Sequence, residues 1–498
     1  MARRAHLSPT PGASPDARRA RSLSYAGVVT TPAPARPLRY HFSGIAGAGM
    51  NPLARLMRAR GHTVQGSDRA LDQGKSGDLA ALLRGLGITL LPQDGAAVSP
   101  GLDRFIYSTA VEADTPEMRA ARALDIERVA RPALLAEVVN AGRPGVAIAG
   151  TSGKSTITGM VTWLVREAGL PATALGGAAL VGEGVSGCFL AGPDAAPVAA
   201  EACESDGTLT GYVPALGIIH NISRDHGEVA ALRPQFEAFA RNARRLLVNA
   251  ACPEALAVGR AVGAGTYGPT PDAEARLEIL SVGPHRATGV LHAPAGRVAL
   301  DIPQPGAHNL ENAAAAALVA LTLGLTPEAI AGALKRFPGV ARRFEVVGTT
   351  PNGIRVVDDY AHNGEKIRAA LTTAQAGAAR VVAVFQPHGY GPARFLRPEL
   401  RELLPRILRP ADRFCYAEVY YAGGTVTRDV TGRVLADDLP PALRCGHAAN
   451  HAAVVQWVAD EARRGDTVLL MGARDPDLPR LAVAVYAVLA GGGLSPRR

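Results

Sequence analysis

The sequence predicts an α/β protein of three domains. Three observations lead there. The chain has 498 residues, too many for one hydrophobic core. Short apolar runs repeatedly end in Gly-rich turns that feed helix-like stretches, the mark of strands alternating with crossover helices. An apolar content of 47% against 19% charged residues supplies enough material for several cores and excludes a mainly disordered chain.

The first 37 residues stand apart. They are rich in Pro, Ala, Arg and Ser and carry no apolar period, so residues 1–37 read as a disordered tail. Residues 1–39 hold seven arginines and one acidic residue, which accounts for two-thirds of the net charge of +9. The body is therefore not a basic surface, and no nucleic-acid partner is expected. No apolar run spans a bilayer and no secretory signal is evident, so no membrane partner is expected. The five cysteines form neither close pairs nor metal-type spacings and read as free thiols in a cytoplasmic protein.

From Leu38 the alternation begins. "LRYHFSGIAGAGMNPLARLMRARGHTVQGSD" reads as strand, Gly-rich turn, helix, strand and Asp68. Strand-like runs follow at 88–91 and 104–109, then a helix at 132–140 and a linker at 143–145, closing a Rossmann-like domain over 38–143. The second domain, 144–341, opens on the apolar run 146–149. It continues with strand-like runs at 197–202 and 215–221 and a helix near 232–246. A β-alternating stretch covers 276–302, and an Ala-rich helix runs from Asn309 to Leu323, ended by Gly324. The third, 342–498, carries strands "IRVVDDY", "RVVAVFQ" and "DTVLLMG" between helices and is again Rossmann-like.

The chemistry starts at "AIAGTSGKSTITGM", residues 147–160. A strand that ends in a Gly-rich turn and feeds a helix aims backbone N–H groups and a positive dipole end at one point, which suits a phosphate. Gly150, Thr151, Ser152 and Gly153 would form the turn, Lys154 would add charge for the terminal phosphates, and Ser155 or Thr156 could hold Mg²⁺. The generic loop requires Gly at position 148. Ile148 stands there, so the match is to the narrower G-T-x-G-K-[ST]-[ST]. The central domain is thus a P-loop ATPase domain. "AEACESD" (200–206) puts Glu201 and Glu204 at the end of another strand-like run, and "HNISRDHG" (220–227) puts Asp225 and His226 at the end of the next. Alone, each acidic cluster reads as a solvated loop. Beside a triphosphate loop, they suit a hard cation.

In this company other motifs become legible. "GIAGAGM" (44–50), "GSD" (66–68), "STA" (108–110), "PGAHNLENAAAA" (305–316), "FPGVARRFE" (337–345), "DDYAHN" (358–363) and "FQPHGYG" (385–391) occur in order. With the loop, they resemble the Mur ligases, ATP-dependent amide-forming enzymes of peptidoglycan synthesis. The likeness is greatest to the branch that joins L-alanine to UDP-N-acetylmuramate, and it covers the chain from about residue 40 onward.

The resemblance implies a mechanism. A substrate carboxylate attacks the γ-phosphate of ATP, and an amine then displaces phosphate from the acyl phosphate. The protein positions and neutralises charge rather than supplying a nucleophile. It implies that Lys154, His226 and Arg343 serve catalysis and that Ser155, Glu201 and His226 hold Mg²⁺. Glu201 matches the motif better than Glu204, which reads as a surface carboxylate. Asn309 and Asn312 match positions near adenine. Arg343 and Asp359 match positions that reach the ATP phosphates and ribose. Gly44, Gly47, Gly49, Met50, Asp68, Ser108 and Thr109 would hold the UDP-sugar, and His362 and His388 would contact substrate or help deprotonate the amine. The implied partners are small molecules, a UDP-sugar and an amino acid.

Departures cluster in the third domain: Asn363-Gly364 for His-Pro, Gly389 and Gly391-Pro392 in the "FQPH" motif, and Gly424 for an acidic residue. Ser152 and Cys203 depart in the second. L-alanine is the default amine, and a paralogue with another amine or acceptor, such as a murein-peptide recycling ligase, stays open. Arg394, Arg397 and Arg428 are the cations such a ligase could use for extra carboxylates. A dinucleotide oxidoreductase would share only the first Gly-rich turn, and a non-catalytic module would not need Lys154 and Glu201.

Overall fold

The structure is a computed structural model that describes residues 36–74, 76–108, 114–183, 187–204, 207–224, 228–421 and 427–491. The segment read as a tail lies outside these residues except for Arg36 and Pro37, and Arg36 pairs with Asp103. Among the described residues no helix is long and apolar enough to cross a membrane.

The described residues build three sheets. The first has five parallel strands in the order Thr89–Leu90, Thr63–Ser67, Arg39–Ser43, Arg104–Tyr107, Glu127–Ala130. The chain winds one way from Arg39–Ser43 and returns on its other side, so a crevice opens where the order reverses. The turn 44–49 sits at that crevice and feeds helix Met50–Ala59, which buries Met50, Leu53, Leu56 and Met57 against the sheet.

The second sheet has ten strands. Its centre is Gly145–Ala149, buried throughout and paired in parallel with Val198–Glu201 on one side and Leu216–Ile219 on the other. Three carboxyl ends therefore meet at one place, again where strand order reverses. Helix Lys154–Glu167 packs on helix Ala307–Thr322, whose run Ala313–Ala317 is fully buried. Methyl-sized side chains let the two helices approach closely. The far edge is the antiparallel trio Ala275–Val282, Ala287–Ala293 and Gly296–Ile302.

Two expectations need correction here. The helix expected near 232–246 is Val229–Asn242, and Leu246–Asn249 is a buried strand paired with Leu216–Ile219. A four-residue apolar run has no readable period, so its burial between neighbours decided its state. Gly145, expected in a linker, begins the central strand.

The third sheet runs Glu345–Thr349, Arg355–Asp359, Thr467–Gly472, Val381–Gln386, Arg413–Ala417, Gly446–Ala448, with only the first strand antiparallel to its neighbour. Arg342 fastens the joint that leads into it. Its guanidinium donates to the carbonyls of Gly472 and Ala473, each at 2.8 Å, and to Asp358 at 3.2 Å. The joint places Arg343 back toward the second domain.

Candidate active site

The turn after Gly145–Ala149 requires its glycines. Gly153 has φ +81°, and a Cβ there would lie 2.5 Å from Asn312 Oδ1 and 2.7 Å from the His220 ring. The backbone thus lies where a side chain could not, leaving its N–H groups facing a cleft. Asn221, at the end of the neighbouring strand, brackets the turn. Its Oδ1 accepts from Ser152 N at 2.8 Å and from Thr151 Oγ1 at 3.0 Å, while Thr151 N donates to its carbonyl. Ser152, a departure from the branch pattern, is part of this bracket.

Lys154 is buried and reaches back across the turn. Its Nζ donates to the Gly150 carbonyl and, at 2.8 Å, to Glu204 Oε2. Burial opposes its charge, yet the field of Glu204, with Cys203 and Glu201 behind it, more than offsets this and raises its pKa. Glu204 is only 1% exposed. Its expected place as a surface carboxylate is therefore wrong: the chain turns after Glu201 so that Glu204 points under the loop.

Glu201 points the other way. It accepts from Ser155 Oγ at 3.1 Å and from Gly177 N at 3.2 Å. Arg343 Nη2 lies 3.3 Å from the same Ser155 hydroxyl. Ser155 and Glu201 thus offer two hard oxygen donors beside the phosphate turn, which fits Mg²⁺, an ion that takes few protein ligands and completes its shell with phosphate and water. His226 and Asp225 lie outside the described residues, and among those described no cluster of three or more His, Cys, Asp or Glu side chains could hold a metal.

A cleft of about 660 Å³ extends from this turn, lined among others by Thr156, His220, Asn309, Asn312, Arg343 and Asp359. Asn309 Nδ2 donates to the Pro305 carbonyl at 2.7 Å, and its Oδ1 accepts from Asn312. Asn312 Oδ1 is buried without a hydrogen-bond partner. An unsatisfied buried acceptor on the wall of a cleft suits a donor on a bound ring, such as an exocyclic amine. His220 bonds Tyr267 OH at 2.7 Å, and burial, then His308, pushes its pKa down to about 4, so it stays neutral. Both oxygens of Asp359 accept backbone N–H groups, from Phe344 and Ala361, each at 2.7 Å. Its first task here is to shape the joint.

A second cavity, about 380 Å³, lies against the first domain. Gly44, Gly47, Gly49, Met50 and Ser108 line it, and its far wall is Glu201 and Cys203, which also line the larger cleft. Thr109 lies outside the described residues. Asp68 does not line this cavity; it accepts from Ala46 N at 3.0 Å and Ala70 N at 2.8 Å, holding the Gly-rich turn in place. Sequence reasoning missed Arg131. Its guanidinium lies over Gly49, so that a Cβ there would come within 3.3 Å of Nη1, and it lines the cavity as a cation facing an anion-type turn.

Also missed was the polar support beneath that turn. Glu117, fully buried, accepts from His41 at 2.9 Å and from the hydroxyls of Ser43 and Ser67, the last residues of the two strands that carry the turn and Asp68. Burial raises its pKa, but these hydrogen bonds outweigh burial and hold it below the usual glutamate value.

Residues 39–143 match the Mur ligase family's catalytic domain, 148–320 its middle domain and 342–474 its glutamate ligase domain. The chain belongs to the Mur ligase family. It is similar to the UDP-N-acetylmuramate–L-alanine ligase of Kineococcus radiotolerans, 37% identical over 89% of this chain and 94% of that one. The ligase of the same name from Caulobacter vibrioides is 36% identical over 87% and 93%. Among solved structures, the UDP-N-acetylmuramate-alanine ligase of Thermotoga maritima shares the fold, with TM-score 0.72, 24% identity and coverage of 91% and 99%. A murein peptide ligase of Psychrobacter arcticus shares it at TM-score 0.65 and 21% identity, covering 92% and 100%.

In this Mur ligase, the third-domain departures have local reasons. Asn363 caps helix Gly364–Ala376, its side chain accepting from Lys366 N at 2.9 Å. Gly364 lies against the carboxyl end of the Glu399 side chain, which would have to move aside for any added Cβ. Gly389 precedes helix Tyr390–Ile407 at φ +92°. Gly424 lies outside the described residues. His362 is buried on the wall of the large cleft, its Nδ1 donating to the Tyr360 carbonyl at 2.8 Å and its Nε2 lying 3.4 Å from Lys366 Nζ. His388 lies behind it, edge-on at 5.2 Å between ring centres, rather than on that wall.

Proposed function

We propose that this chain joins L-alanine to the carboxylate of UDP-N-acetylmuramate at the expense of ATP, a step of peptidoglycan synthesis. One observation carries the reading. The first-domain cavity and the phosphate cleft share Glu201 and Cys203 as a common wall, so an acid anchored in the first can present its carboxylate to a γ-phosphate in the second.

The carboxylate oxygen attacks the γ-phosphorus in line, and the bond to the ADP oxygen breaks. Lys154 and Arg343 neutralise charge on the transferring phosphoryl group. Bound Mg²⁺ would supply further neutralisation of the phosphates, with Ser155 and Glu201 as its protein ligands. The amine nitrogen of alanine then attacks the acyl carbon, and inorganic phosphate leaves. The amine's proton passes to solvent. Asn312 accepts from the adenine amine. Arg131 and the turn 44–49 bind the diphosphate of the sugar nucleotide.

Similarity at 36–37% identity over nearly the whole chain to ligases that use L-alanine supports that amine. Of the third-domain cations considered for a peptide-recycling ligase, Arg394 and Arg397 stand in partly exposed pairs with Asp429 and Asp438, Arg428 stacks on Tyr421, and none of the three lines the large cleft. The test is phosphate release with ATP, Mg²⁺ and UDP-N-acetylmuramate against a panel of amino acids and short peptides, with the amide identified by mass.

A further inference from the structure

The two glutamates of "AEACESD" diverge, and of the two only Glu201 faces the shared wall of the cavities. Glu204 is buried under the loop with Oε2 on Lys154 Nζ, and its Oε1 has no hydrogen-bond partner among the described residues. Lys154 therefore spends two of its three N–H bonds inside the protein, one on Glu204 and one on the Gly150 carbonyl, at the very place where a nucleotide phosphate must dock.

We propose that Glu204 is a latch for the phosphate-loop lysine: in the nucleotide-free protein it holds Lys154 Nζ back, and ATP binds by competing with the Glu204 carboxylate for that ammonium group. The inference rests on the reading of the loop as an ATP site and assigns this second acidic residue a role apart from metal binding. The physical reason is symmetry of partners. A carboxylate and a γ-phosphate present the same kind of charged acceptor to one cation, so whichever is present takes it. Glu204 thus holds Lys154 near its working position, at the cost of weaker ground-state ATP binding. Glu204 acts through Lys154 and is a positioning residue, not a catalytic one.

The experiment is a double-mutant cycle read by calorimetric binding of MgATP to the full chain, without sugar nucleotide, so that turnover plays no part. Glu204→Gln should tighten MgATP by about tenfold, the scale of one charge-assisted hydrogen bond, and lower kcat in the complete assay. In a Lys154→Ala background, the same substitution should tighten binding distinctly less, because only relief of charge repulsion remains. Glu204→Asp should lie between, and thermal unfolding of each variant checks that it folds. An equal gain in both backgrounds would make Glu204 a general repulsive charge, and weaker binding in Glu204→Gln would make it a ligand of the nucleotide or its metal. Either result overturns the latch. MgATP affinity left unchanged by Lys154→Ala would instead refute the ATP-site reading itself.

Discussion

Arg343 Nη2 lies 3.3 Å from Ser155 Oγ, so the joint before the third sheet touches the phosphate loop of the second. The neighbouring Arg342 locks that joint to the carboxyl end of strand Thr467–Gly472, and both guanidinium groups lie over the Tyr360 ring. Arg343 thus links the third domain to the loop proposed to hold the transferring phosphate.

Arg343→Ala should lower kcat by about a hundredfold, the range for removing one preorganised charge donor, with little change in the thermal midpoint. Arg343→Lys should recover part of it. Steady-state kinetics at saturating substrates check this, and an unchanged kcat in Arg343→Ala would take this side chain out of the transfer step.

Lys154→Ala should abolish turnover and also destabilise the fold. Removing the ammonium leaves Glu204 buried as an unpaired charge, a loss of about 3–5 kcal/mol for a pair of this kind. Adding Glu204→Gln in the same chain should restore much of the melting temperature but none of the activity. Scanning calorimetry on the two variants separates the effects.

Arg131→Met should raise the KM for the sugar nucleotide by tenfold or more on the scale of a charged hydrogen bond. MgATP affinity should stay as in the parent, because Arg131 lines only the smaller cavity. A parallel rise in both constants would show that the substitution disturbs the domain rather than a phosphate contact.

Asp358 sets a pH dependence of stability. Burial, opposed by Arg342, pushes its carboxyl up to about 6 from the ordinary 3.8. A raised folded pKa means the native state prefers the protonated form, so its contribution is present below about pH 4 and lost as pH rises through 6. The melting temperature of the parent should therefore fall relative to Asp358→Asn between pH 4 and 6, by a few degrees. A gap that does not change across that window would contradict the shift.

What the sequence makes legible follows from distance along the chain. The turn 150–155 is local: strand, glycines, lysine and hydroxyl lie within one short stretch, so their geometry is written in their spacing. The same holds for helix Ala307–Thr322, ended by Gly324 at φ +94°. Glu204 is different. Whether the carboxylate three residues past Glu201 faces water or Lys154 depends on a contact 50 residues away in sequence. His41 and Glu117 are 76 apart and meet only because their strand and helix pack together. Arg131 reaches Gly49 from another helix, and Leu246–Asn249 becomes a strand because a vacant edge lies beside Leu216–Ile219. The departures in the third domain are the least readable part. Its glycines delete side chains, and what remains, such as the Asn363 cap, answers to local backbone needs.

In the proposed reaction, two cavities meeting at Glu201 and Cys203 bring an anchored sugar-nucleotide acid to an activated phosphate and then to alanine. The most direct measurement is phosphate release by the full chain with ATP, Mg²⁺, UDP-N-acetylmuramate and single amino acids, followed by product mass. Release should require the sugar nucleotide, peak with L-alanine and yield UDP-N-acetylmuramoyl-L-alanine. Release that is independent of the sugar nucleotide, or that peaks with a different amine, would contradict the proposed reaction.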